Sequence, residues 1–320
     1  MKRLPVIFAA SLTAFSAVFS TAASAKESSL VVLGDSITSG YGLEGYVAGD
    51  NYSAPDSFAN QLSAAYSDYS NFAKDGRTSG ELLTALEDED ISAALAGADT
   101  VVISIGGNDY LQPMISAIIS IVTEDSDLKD QLTSGEFSPS ADFSLELMQQ
   151  LTETIINAAK DVDADDVCSN ISSILSAVKN ASPDARVIIL TVYDPFEGVT
   201  GMEMMDVVAR EKLAELNAGI KEAAAANGAE VADVFTAFKG SAEDYTNITR
   251  MDIHPNKEGH AVIYAMLSEM AEVPSEPVSA DVQPGTAHKG SPDTGAGDIA
   301  VFAGIALTAA AATYLTRKKR

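Results

Sequence analysis

The chain has 320 residues, enough for one large domain or two ordinary ones, and carries 20 basic against 46 acidic residues for a formal charge of −26. So acidic a surface repels nucleic acid and anionic membranes. The single cysteine, Cys168, excludes an intramolecular disulfide.

Residues 1–25 read as a secretory signal. Lys2 and Arg3 give a positive start, Val6–Phe19 is mostly apolar, and Ala23, Ser24 and Ala25 offer the small residues a signal peptidase accepts. No charged face accompanies the apolar run, which argues against a core helix. The apolar run Leu30–Leu33 reads as a buried parallel strand and ends on Gly34, Asp35 and Ser36. Such a turn aims the Ser36 hydroxyl and its own N–H off the strand edge. That suits a nucleophile whose N–H stabilises the negative oxygen formed on attack. A serine capping a helix start is the ordinary alternative. A weaker strand at Tyr69–Phe72 precedes Gly76, whose bare N–H suits close approach to a ligand, or which simply makes a turn. "ELLTALEDEDISAALAGA", from Glu81, reads as one helix. Val101–Ile105 is the next strand; Gly106, Gly107 and Asn108 follow it. There the Asn108 amide either donates into a cleft or, like Asp109, caps the next helix.

The interval from Asn108 to Arg186 is long. Leu111, Met114, Ile115, Ile118 and Ile119 share one helical face, and further helices fit Leu145–Lys160 and Val167–Lys179. Residues 110–185 read either as a lid or as added core helices. Asp161–Asp166 lacks the glycine and the final glutamate of a calcium loop, having Asp166 and Ser172 there, and reads as an acidic helix start. Cys168 is spaced with Ile171 and Leu175 as a buried apolar thiol. Val187–Val192 and Val231–Val234 are strands flanking a long helix, Met202–Ala226. Alternating strands and helices predict an α/β domain, with helices on both faces of a parallel sheet and chemistry at the strands' carboxyl ends.

"MDIHPNKEGH", Met251–His260, puts His254 in a loop just before Pro255 and the last helix, which begins near Glu258. A loop histidine is placed to exchange protons near neutral pH. His260 lies on the helix, packed or facing solvent, and His288 lies in a Pro-rich linker, residues 273–290. Residues 291–320 hold "SPDTG", a charge-free run Ile299–Leu315 of about 17 residues, and a basic end, Arg317–Arg320. This resembles a Gram-positive sortase signal, although Ser291 stands where leucine is usual. The resemblance implies sortase as a partner and covalent attachment to the cell wall at Thr294. A plain membrane anchor is the alternative. Removal of both ends leaves Lys26–Thr294 with 14 basic and 45 acidic residues, a net charge of about −31.

Together "GDSIT", Gly76, "GGND" and "IHPN", in that order along residues 26–272, resemble the SGNH hydrolase family, also called GDSL esterases and lipases. The resemblance implies a flavodoxin-like three-layer α/β/α sandwich around a five-stranded parallel sheet. It implies Ser36 as nucleophile, His254 as general base, and an oxyanion hole from the Ser36 N–H, the Gly76 N–H and the Asn108 side chain. The family's acid stands three residues before the histidine. Here that position is Met251, and Asp252 follows it. Either the loop shifts so that Asp252 supports His254, or a main-chain carbonyl does so. The implied activity is ester hydrolysis through an acyl-enzyme, without metal or organic cofactor, on a small-molecule, lipid or glycan ester. A glycan O-acetylesterase and a non-catalytic surface adhesin on the same scaffold are the alternatives.

Overall fold

The computed structural model describes residues 28–271, apart from Asp50, 125–144, Gly201 and Met251. The expected secretory signal, linker and sorting signal lie outside the described residues. Among the described residues no helix is long and apolar enough to cross a membrane.

Five strands form one parallel sheet: β1 (Ser29–Gly34), β2 (Asp68–Ala73), β3 (Thr100–Ser104), β4 (Arg186–Leu190) and β5 (Glu230–Ala232). Their order is β2-β1-β3-β4-β5. The direction of winding therefore reverses between β1 and β3, and their carboxyl ends flank the crevice where such sheets bind ligands. The register sets Gly34 beside Ala73 on one side and beside Ser104 on the other.

The helices, in chain order, are α1 (Ser36–Ser39), α2 (Phe58–Ser63), α3 (Ser79–Ala85), α4 (Glu89–Ala96), α5 (Gly107–Glu124), α6 (Leu145–Lys160), α7 (Ala164–Ala181), α8 (Glu203–Asn227), α9 (Val234–Ala237), α10 (Ala242–Tyr245) and α11 (Lys257–Met270). Strand periodicity divides the core in two. Val31, Leu33, Val101, Ile103, Val187 and Ile189 face Leu82, Leu95, Ile171 and Leu216 from α3, α4, α7 and α8. Leu30, Val32, Val102, Ile188 and Leu190 face Phe58, Leu62, Ile263 and Leu267 from α2 and α11. The central strands are apolar on both faces because both faces are covered.

Two local expectations change and a third holds. The stretch from Glu81 is two helices, α3 and α4, because Asp88 adopts an extended conformation and its side chain accepts the N–H of Asp90. Asp161–Asp166 does hold a helix start, with Asp163 capping α7. Cys168 is half-buried rather than buried. Val167, Ile171 and Leu175 take the core-facing positions of α7, and the Cys168 thiol lies against Gly219 of α8.

Candidate active site

Ser36 is the first residue of α1, directly after β1. Its predecessor Asp35 is the cap, with Oδ1 accepting the Ile37 N–H at 3.0 Å. Since Asp35 does the capping, the Ser36 hydroxyl is spared that role. Gly34 is required by close approach: a Cβ there would sit 2.7 Å from the Ser104 carbonyl and 2.1 Å from Thr38 Oγ1.

His254 comes from the loop between α10 and α11. Thr246 pairs with Pro255, the Asn247 N–H donates to the His254 carbonyl at 2.9 Å, and the Tyr193 hydroxyl donates to the Ile253 carbonyl at 2.7 Å. Asn256 caps α11 through the Gly259 N–H, while its amide donates to the Asp244 and Thr246 carbonyls. His254 Nε2 lies 3.0 Å from Ser36 Oγ, and His254 Nδ1 lies 2.5 Å from Asp252 Oδ1. The bend that brings Asp252 to the ring is local. Asp252 Oδ1 also accepts the backbone N–H of His254 at 3.0 Å, which folds the chain at Ile253. Burial alone would raise the Asp252 carboxyl, but bonds from His254 and Asn247 outweigh it and hold it below the usual carboxylate range. As a carboxylate, Asp252 can only accept, so Nδ1 carries the ring proton. Nε2 is then the acceptor for the Ser36 hydroxyl.

Asn108 stands at the start of α5, 7 % exposed. Its Nδ2 donates to Asp35 Oδ2 at 3.2 Å and to the Arg77 carbonyl at 3.1 Å, so both amide hydrogens are engaged. Asp109 instead reaches α3, accepting from the Ser79 N–H at 2.9 Å and the Ser79 hydroxyl at 2.6 Å. Gly76 has a left-handed φ of +73°, and its carbonyl accepts from the Gln112 amide. Ser36, Asn108 and His254 all line one cleft; Gly76 is not among its lining residues. Gly76 joins the group through Arg77, the next residue.

Sequence reasoning missed three neighbours of this site. Asp35 joins Ser36 to Asn108; burial pushes its pKa up to about 7, against the Ile37 bond and the nearby His254. Tyr41 packs on the His254 ring, with centroids 4.5 Å apart. Beyond it, Asp75 accepts from Ser39 at 2.6 Å and from the Tyr46 hydroxyl. The tyrosines at 41, 46 and 52 in a Gly-rich loop were the available signal. His260 is fully buried and stacks on Phe58, with Nδ1 accepting the Phe58 N–H at 3.2 Å. Among the described residues no group of three or more His, Cys, Asp or Glu side chains is arranged to hold a metal ion.

The model of the GDSL-like lipase/acylhydrolase family matches residues 32–262, most of the chain, from within β1 to within α11. The chain belongs to the GDSL-like lipase/acylhydrolase family. It is accordingly an ester hydrolase. Among solved structures, phospholipase A1 from Streptomyces albidoflavus is similar with a TM-score of 0.54 at 21 % identity, over 76 % of this chain and 99 % of that one. A lipase from a goat rumen metagenome gives 0.52 at 21 % identity, over 76 % and 96 %. The extracellular lipase of Streptomyces rimosus gives 0.52 at 18 %, over 76 % and 99 %. At such identities the likeness is one of fold: this GDSL-like hydrolase shares the five-stranded α/β/α architecture. No curated protein matches the chain.

Proposed function

We propose that the protein is a serine ester hydrolase working through a covalent acyl-enzyme on Ser36. The observation that carries this is the continuous chain from Ser36 Oγ to His254 Nε2 at 3.0 Å and from His254 Nδ1 to Asp252 Oδ1 at 2.5 Å. Ser36 Oγ attacks the acyl carbonyl while His254 Nε2 takes its proton. Asp252 holds the ring and stabilises the imidazolium. The N–H groups of Ser36 and Gly76 and the Asn108 amide receive the oxyanion, with Asn108 giving up its bond to Asp35 or Arg77 to do so. His254 then protonates the departing alcohol. Water attacks the acyl-enzyme with His254 again as base, which releases the acid and restores the serine.

The N-terminal apolar run and the C-terminal "SPDTG", apolar run and basic end support a place outside the cell, with the domain of residues 26–272 held at the surface through the linker 273–290. Attachment at Thr294 by a sortase is the favoured route. The test of the chemistry is labelling by a fluorophosphonate. One equivalent on Ser36, mapped by peptide mass, is expected; labelling of a different serine in the folded protein contradicts the assignment.

A further inference from the structure

We propose that the cleft beside Ser36 is an acyl-chain site, which makes neutral esters of medium- and long-chain fatty acids the preferred substrates over acetyl esters. This rests on the serine ester hydrolase reading. The space between the cleft walls comes to about 1060 Å³, the solvent at its open mouth included. Ser36, Asn108 and His254 stand together in its wall, and most of the other lining residues are apolar. From there it runs past Ile105 and Leu190, at the carboxyl ends of β3 and β4, to Met205, Ala209 and Leu213 of α8. An acetyl group would fill only the mouth and leave this apolar wall in contact with water. Each methylene buried along it instead adds hydrophobic stabilisation.

The two halves of an ester are told apart by the geometry. The leaving oxygen belongs at His254 Nε2, on whose ring Tyr41 packs. The half-buried Tyr46 and Tyr52 lead on from there toward the surface, with centroid steps of 5.1 and 6.2 Å. The acyl substituent, opposite the leaving group, is directed into the cleft. Charge decides that the far end of the acyl group is apolar. Among the described residues Lys212 is the one lysine on the cleft wall; its ammonium lies 3.4 Å from the Val162 carbonyl and 3.6 Å from Glu215, so it is already engaged. Asp252, held as a carboxylate against the His254 ring, further disfavours an anionic acyl group.

The test compares kcat/KM for p-nitrophenyl acetate, butyrate, octanoate and hemisuccinate with the purified protein. Octanoate is expected to exceed acetate by about tenfold or more, and hemisuccinate to fall below butyrate. Ala209→Trp and Val208→Trp, both at half-exposed positions on the cleft wall, should each lower the octanoate-to-acetate ratio by about tenfold. Either one, folded, suffices. Acetate hydrolysed as well as octanoate, or an unchanged ratio in the folded variants, overturns the proposal. Binding separates it from the chemistry: Ser36→Ala protein should bind p-nitrophenyl octanoate, and Ser36→Ala/Ala209→Trp should not. Binding in the absence of wild-type turnover would overturn the hydrolase reading alone, and loss of both would overturn the acyl site as well.

Discussion

At the scale of single residues, the proposed chemistry turns on how Asp252 meets His254. A carboxylate at Nδ1 fixes the tautomer that leaves Nε2 free for Ser36. Asp252→Asn is therefore expected to lower kcat by about 10⁴-fold in a folded protein. A loss below roughly tenfold, about 4 kcal/mol less in the barrier, would mean that another group orients the ring. Gly42 tests the same contact from outside. Its φ is +81°, and a Cβ there would lie 2.8 Å from Asp252 Oδ2. Gly42→Ala should displace the carboxylate and lower kcat at least tenfold with little change in KM. An unaltered kcat would show that the loop yields without moving Asp252. Ser36, Asn108 and His254 were legible in sequence because each sits in a short turn after an apolar strand or before a proline. The bend at Ile253 was legible only as one of two choices, since it depends on Asp252 accepting its own neighbour's N–H. Asp35's grip on Asn108, 73 residues away, has no local signature.

At the scale of elements, the His254 loop is held by what precedes and follows it. Asn256 caps α11 and ties the loop to Asp244 and Thr246 with the same side chain. Asn256→Ala is expected to cost about 1–2 kcal/mol in urea unfolding and to lower kcat together with stability. A stability loss with kcat unchanged would separate the cap from the catalytic loop. All five strands were readable, the inner ones because runs such as Val187–Leu190 are apolar at every position when both sheet faces are covered, and the edge strand β2 only as a weaker signal. The break between α3 and α4 was not, because no Gly or Pro marks it and its sign is Asp88 capping the second helix. The long insert was read correctly as helical at Leu145–Lys160. Its role depends on packing: α5 and α6 lie against each other, and Tyr110, Met114 and Ala159 reach the cleft wall.

At the scale of the whole molecule, two buried groups make stability depend on pH in opposite directions. Burial lowers His260 to about 3, so the folded state resists a proton that the unfolded state accepts below about 6.5. Stability from this source is complete above pH 6.5 and is lost as pH falls toward 3. Burial raises Asp35 to about 7, so the folded state keeps a proton that the unfolded state releases above about 4. That contribution is complete below pH 4 and is lost as pH rises through 7. From pH 4 to 6.5, wild type should gain stability relative to His260→Gln, by up to about 1.4 kcal/mol per unit, and lose it relative to Asp35→Asn. Parallel curves in chemical denaturation would contradict both assignments. The α/β class was legible from the alternation of elements. The strand order came only through the resemblance to a flavodoxin-like fold, and the cleft escaped sequence reading, because its wall joins α1, β3, β4, α5 and α8 across more than 170 residues of chain. The most direct test of the account is hydrolysis of p-nitrophenyl butyrate by wild type and by Ser36→Ala, both folded. With Ser36 as nucleophile, wild type turns the ester over and the variant loses about 10⁶-fold in kcat. Equal turnover by the two proteins would contradict that role.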